Sequence, residues 1–435
     1  MALPTIETRE DLIHALATAA ELEHAIICQY LFAAFSLKSH LDEGQVTWAQ
    51  LERVREWKSA LLLMARQEME HLGLVGNLLT AIGGTPHFRR PNFPHTTPYC
   101  PPYPTFELQP FCEATIRRFT RFEQLHRPAG DNRGNPIPDQ AETIGRLYQN
   151  IKQGFEFVSA MLHRDKSGVL FIGPSDAQTV NRHLGLPQGH FDVDLLAVHD
   201  LPSAVRAIDH IIEAGALPVA HDNVSHATRF AQILAELEHM RQHHPDFEPA
   251  RPVAVNPVTR PCHETIADIT PVTHPVTLQA VKLFNMAYDT MILMLTRFYA
   301  HADETPDELE GLMKTAFFPM MTAVIRPLGE SLTHMLVQDH ASMATAGPSF
   351  EFDGDLPLHP ARRSAWTFLY ERLQAIATSC GDLYLQIEDS HEPWAKKIQP
   401  RLAFLQENLE RMASNFERHM HLRREYVELL LRRIL

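Results

Sequence analysis

Cysteine pairs at metal-binding or redox spacing are missing from this chain. Cys28, Cys100, Cys112, Cys262 and Cys380 form no C-x-x-C motif, which argues against a zinc ribbon or a disulfide frame and for a reduced, cytoplasmic protein. Basic excess is missing too. Lys and Arg number 39 against 53 Asp and Glu, a net charge of −14, with a pI near 6.0. Nucleic acids and anionic membranes attract basic faces, so neither is an expected partner. No apolar run approaches the ~20 residues that cross a bilayer. Met1–Asp11 lacks the basic-then-apolar pattern of a leader, so no signal peptide is expected. No alternating strand pattern persists, and no internal repeat is evident.

What remains is a helical pattern over 435 residues, 45% of them hydrophobic, enough for one large or two medium domains. Thr8 with Asp11 opens a first helix running to about Leu37, whose stripe of Leu12, Leu16, Ala19, Ile27, Tyr30 and Ala34 includes Glu23. A second helix runs from about Trp48 to Ile82, where Gly83-Gly84 and Pro86 stop it. Glu68 and His71 fall in its stripe of Trp57, Leu61, Met64, Leu72, Val75 and Leu79. Glu70 groups with Arg66, Gln67 and Asn77 and should face solvent. A Pro-rich stretch follows, then helices over Phe106–Gln124, Glu142–Leu162, Pro202–Gly215 and roughly Ala220–Gln242. Seven prolines between His243 and Pro275 mark a boundary. The expected organisation is a bundle over 1–243, a linker over 244–275 and a C-terminal helical domain over 276–435. In the last, Asn285, Tyr288 and Asp289 interrupt an apolar helix and are expected to close the pocket.

Acidic residues inside apolar stripes need an explanation, because a buried ionised carboxylate is costly unless paired or metal-bound. Glu68 and His71 are one turn apart and can reach one ion. With Glu23 on the preceding helix they are half the ligand set of a di-iron carboxylate site in a four-helix bundle. The other half is expected from Glu142, with Glu123 and Glu156 as competitors, and from Glu213 and His226. Tyr30 is placed to hydrogen-bond a ligand or relay an electron. The ion is expected to be iron, one or two per chain, with manganese an alternative.

Four segments carry a family resemblance: ELEHAIICQYLF (21–32), RQEMEHL (66–72), TIGRLY (143–148) and SHATRF (225–230), joined by GPSFEFDGDLPL (347–358). They are similar to the ferritin-like domain of the iminophenylpyruvate dimer synthases of violacein- and rebeccamycin-type bisindole biosynthesis. The resemblance implies an all-α ferritin-like bundle with extra helices, and an O2-dependent oxidase or oxygenase. Its substrate would be an amino-acid-derived small molecule, an imine or indole-type intermediate. It carries Glu23, Glu68, His71, Glu213 and His226 over as ligands. Arg146 and Ala216 stand where the family often has acidic residues. Arg146 is then a candidate for a substrate carboxylate, which a guanidinium fork suits. These departures also support the alternative of a catalytically inactive accessory or scaffold subunit. A homodimer or a partner biosynthetic enzyme is the expected assembly.

Overall fold

The computed structural model describes residues 5–96, 105–125, 144–166, 168–180, 195–216, 225–260, 268–300, 303–338 and 343–434. It is all-α, as expected. The chain divides into two compact units, one from the N-terminal part up to Asn256 and one from Pro257 onward. That division falls inside the Pro-rich 244–275 segment. Among the described residues the only strands are two-residue pairs, His95–Thr96 with Thr105–Phe106 and Pro257–Val258 with Thr270–Pro271.

The first unit holds α1 (Arg9–Ser36), α2 (Trp48–Ala81), α3 (Glu113–Leu125), α4 (Ile144–Arg164), α5 (Leu201–Ala216) and α6 (His226–His243). The Thr8 and Asp11 side chains cap α1 reciprocally, and Thr47 with Gln50 does the same for α2. These boxes satisfy amide groups that a helix start leaves orphaned. At the other end of α2, Gly83 takes a φ of 83°. That left-handed turn lets Gly84 N–H donate to Leu79 C=O at 2.9 Å, the usual way a glycine closes a helix.

Helix α1 packs along α2 and also meets α4; α3 packs on α6, and α5 lies against α2 and α4. Helix α1 is therefore sheathed on most sides, and 20 of its 28 residues are buried. The same packing corrects the reading of Glu70. It is buried, and its carboxylate contacts His210 Nε2 of α5 at 2.5 Å. A single-stripe reading treats one face of α2 as wet, but α5 covers that face.

The C-terminus of α1 is held from a distance. Arg251, buried, donates to the carbonyls of Phe35 and Leu37 at 2.9 and 2.8 Å and grips the Glu43 carboxylate at 2.6 and 3.0 Å. Its guanidinium satisfies the last carbonyls of α1, which no helical amide reaches.

The second unit is built on α7 (Pro275–Tyr299), α8 (Pro306–Leu312), two π-helical turns over Met313–Phe317 and Met320–Ile325, α9 (Arg326–Leu332), α10 (Arg362–Glu388) and α11 (Ala395–Ile434). Helices α10 and α11 pair, and α7 packs on α10. Asn285 and Asp289 line a groove of about 710 Å³ within this unit, along with Lys282, Glu351, Arg372 and Asp382. Tyr288 instead packs against Phe350 with ring centroids 5.0 Å apart. Among the described residues no helix is long and apolar enough to cross a membrane.

Candidate metal centre

Five side chains from four helices meet in the core of the first unit. Glu23 (α1), Glu68 and His71 (α2), Glu123 (α3) and His226 (α6) are each no more than 2% exposed. They form two triads, Glu23–Glu68–His71 and Glu68–Glu123–His226. In each triad one ligating atom per residue lies within 4.8 Å of the others. Glu68 belongs to both.

Local structure explains the convergence. Glu68 and His71 are one turn apart on α2, and Tyr30 is two turns beyond Glu23 on the same face of α1. Ser225 caps α6, its hydroxyl accepting from Thr228 N–H. His226 is therefore the first residue of that helix.

His71 Nδ1 lies 2.8 Å from Glu68 Oε2 and 3.8 Å from Glu23 Oε2. His226 Nδ1 lies 3.2 Å from Glu68 Oε1 and 3.4 Å from Glu123 Oε2. Glu68 Oε1, His71 Nε2 and His226 Nδ1 are buried yet lack the geometry of any hydrogen bond. Buried polar atoms in folded proteins are nearly always satisfied. Two ligand atoms each about 2.1 Å from one ion sit roughly 3 Å apart, which is the spacing between Glu68 Oε1 and His226 Nδ1. The donor set of three carboxylates and two imidazoles fits iron, manganese or zinc.

Supporting groups aim these ligands. The Tyr148 hydroxyl of α4 donates to Glu23 Oε1 at 2.5 Å, and the Tyr30 hydroxyl donates to Glu123 Oε1. In each case the other carboxylate oxygen is left toward an imidazole of the cluster. Gln67 Oε1 accepts from His226 Nε2 at 2.6 Å, so Nδ1 is the nitrogen that faces the carboxylates. Hydrogen bonds of this kind fix ligand orientation around metals. The Tyr30 ring packs edge-on against Phe119 at 4.6 Å and tilts against Phe230 at 5.2 Å, which helps keep the cluster dry.

Burial alone would lower the imidazole pKa values and raise that of Glu68, yet mutual attraction reverses both. His226 is pushed up to about 10 by Glu123 and Glu68 despite its burial. His71 is held well above its ordinary value by Glu68 and Glu23 against the same burial penalty. Burial works to raise Glu68, but His71 and His226 hold it well below the usual carboxylate range.

The sign of the pH dependence follows. A raised folded-state pKa gives stability that is complete below the unfolded value of 6.5 and is lost as pH climbs toward about 10. Metal binding has the opposite sign, because ligation requires neutral imidazoles and releases their protons. Across this range the melting temperature of chelator-treated protein is expected to fall, while the increment gained on adding Mn(II) grows. Differential scanning fluorimetry at fixed ionic strength reads both. An increment that shrinks with rising pH would contradict the ligand assignment.

The structure brings Glu23, Glu68, His71 and His226 together and adds Glu123, which sequence reasoning held only as a competitor. Glu142 lies outside the described residues. Glu156 is exposed on α4, and Glu213 is exposed on α5; neither joins the cluster, because each rides the outward face of its helix. This corrects the expectation for Glu213. Arg146 is half-buried on α4, and the hydrogen bond that α4 sends into the cluster comes from Tyr148. Tyr148, Gln67 and the Glu70–His210 pair were not anticipated. Tyr148 sat in an apolar stripe, where a tyrosine reads as packing.

A helical bundle whose buried centre is lined by carboxylates and histidines defines the class: a ferritin-like protein with a candidate metal site. Residues 16–235 match the family described as Ferritin-like, and the chain belongs to it. A dichlorochromopyrrolate synthase of Lentzea aerocolonigenes is 29% identical over 414 residues, 86% of this chain and 39% of the relative. A 2-imino-3-(indol-3-yl)propanoate dimerase of Chromobacterium violaceum is 30% identical over 368 residues, 79% of this chain and 34% of the relative. The expected kinship with the iminophenylpyruvate dimer synthases is borne out. This chain spans less than two fifths of the length of either relative. A solved ferritin-like protein of Caulobacter vibrioides covers 75% of this chain and 96% of its own, with a TM-score of 0.43 and 18% identity.

Proposed function

We propose that this protein is a non-haem iron oxidase or oxygenase with a two-ion centre. Its substrate is an amino-acid-derived small molecule, of the 2-imino acid or indole type. The observation that carries the reading is the pair of triads sharing Glu68, in which buried Glu68 Oε1, His71 Nε2 and His226 Nδ1 make no hydrogen bond. The name of one relative supports the substrate class, since a 2-imino-3-(indol-3-yl)propanoate dimerase acts on an indole-bearing 2-imino acid.

Glu23, Glu68 and His71 would hold one ion, and Glu68, Glu123 and His226 the other. Iron so bound supplies O2-dependent oxidation. The chain's own residues do the rest. Tyr148 and Tyr30 hold Glu23 and Glu123 in place through their hydroxyl hydrogen bonds. Gln67 holds the proton of His226 on Nε2. The α1–α2 and α3–α6 pairs exclude water from all five ligands, which strengthens every charge interaction inside.

Anaerobic loading with Fe(II), metal analysis after desalting, and oxygen-electrode measurement on aeration test this together. Two ions per chain and O2 consumption that scales with iron are expected. Absence of bound metal, or loaded protein that consumes no O2, would overturn the proposal.

A further inference from the structure

The second unit holds a groove that the metal chemistry does not use. Its volume, about 710 Å³, falls in the ~300–1,000 Å³ range of small-molecule sites. Helices α7 and α10 form two of its walls, and the 351–356 loop lines it as well. This loop belongs to the GPSFEFDGDLPL segment, which the metal centre leaves unexplained. It is held firmly. Glu351 Oε2 accepts from Thr259 N–H at 3.0 Å, the Thr259 hydroxyl at 2.8 Å and the Ser349 hydroxyl at 2.8 Å. Asn285 of α7, 7% exposed, donates through Nδ2 to Ser349 Oγ at 2.8 Å. Phe350 takes a φ of 50°, a left-handed value rare for a bulky residue. Its buried ring stands edge-on to Phe284 and Tyr288, with centroids 5.0 Å away in both cases. Such a backbone persists only where its surroundings over-determine it.

Both signs of charge line this groove, on facing walls. Arg372 of α10 reaches Asp289 Oδ2 of α7 at 3.0 Å and Thr290 Oγ1 at 2.8 Å, which ties the two helices together. Seven residues before Asp289, α7 brings Lys282 to the groove. Seven residues after Arg372, α10 brings Ser379, with Asp382 one turn further on. Going back along α7 and forward along α10 follows the same groove, so the helices are antiparallel. Seven helical residues cover about 10 Å on each. Lys282 and Asp382 therefore belong to one end of the groove, across from each other. Leu283 and Leu383 accompany them, an apolar surface beside each charge. Asp355 of the loop adds another carboxylate. A ligand with a single charge would leave one wall unanswered. A ligand with an ammonium, a carboxylate and an apolar body answers both.

We propose that this groove is a binding site for a free α-amino acid with an apolar side chain. Lys282 receives the carboxylate, Asp382 and Asp355 receive the ammonium, and Leu283 and Leu383 cover the side chain. The inference concerns the second unit alone and does not depend on metal in the first.

The test uses the full chain treated with a chelator, so that metal in the first unit takes no part. Isothermal calorimetry compares L-phenylalanine with phenethylamine, which lacks the carboxylate, and with 3-phenylpropionate, which lacks the amine. Phenylalanine should bind at least about tenfold more tightly than either, the usual worth of a hydrogen bond to a charged group. Lys282→Met should erase its advantage over phenethylamine, and Asp382→Asn its advantage over 3-phenylpropionate. Both residues are exposed, so circular dichroism should show an unchanged fold. Phenethylamine binding as tightly as phenylalanine would overturn the inference and leave a groove that merely attracts cations. Affinity for phenylalanine untouched by both substitutions, or no heat of binding at millimolar phenylalanine, would overturn it as well.

Discussion

Glu68→Gln protein is expected to emerge from metal loading with less than one ion per chain, where the proposed centre of the wild type should take up two. Glu68 is the residue common to both triads, so neutralising it weakens both positions at once. Loss of a hydrogen bond that merely supports a ligand costs roughly 10- to 100-fold in metal affinity, and loss of a shared ligand should exceed about 100-fold. The geometry also predicts a difference between neighbours. Glu23→Gln leaves Glu68, Glu123 and His226 intact, and so should retain one ion. Metal analysis with a competing chelator, beside circular dichroism to confirm that the helices persist, separates these outcomes. Two ions in the Glu68 variant, or equal losses in both variants, would refute the shared-ligand arrangement.

The largest effect on stability is expected away from the metal. Arg251→Met should destabilise the first unit by about 3–5 kcal/mol, the usual consequence of removing one partner of a buried ion pair. Arg251 binds Glu43 through two nitrogens and closes the Phe35 and Leu37 carbonyls with a third. Methionine fills the volume but restores none of these bonds. Arg251→Lys keeps the charge without the fork and should fall between. Urea denaturation followed at 222 nm gives the numbers. A loss under ~1 kcal/mol would mean that Arg251 is a surface pair of little worth.

The sequence reveals this protein unevenly, and the physics explains where. Helices α1 and α2 are legible because capping residues and long apolar stripes mark them. Glu23, Glu68 and His71 stand out as polar residues inside those stripes. The choice among third-helix carboxylates is not legible in the same way. Glu123 and Glu142 both belong to helical patterns, and which helix faces the cluster depends on packing between segments a hundred residues apart. Here α3 packs on α6, so Glu123 reaches His226. Glu213 was misplaced because a helix end gives little periodicity to read. Glu70 was misplaced because α2 buries more than one face, with His210 of α5 as the partner. The supporting bonds from Tyr148 and Gln67 leave no local trace, since either residue can sit in a helix for ordinary reasons.

Gln67 and Glu68 are adjacent on α2, yet the first orients His226 of α6 while the second shares a triad with it. One short stretch of α2 thus both positions an imidazole of another helix and supplies its companion ligand. If α2 slid along its neighbours by a single turn, Glu68, His71 and the tether on His226 would be lost in the same movement. Half-built centres are therefore disfavoured by construction. Uptake of a metal ion becomes a report on whether the bundle has assembled in its correct alignment.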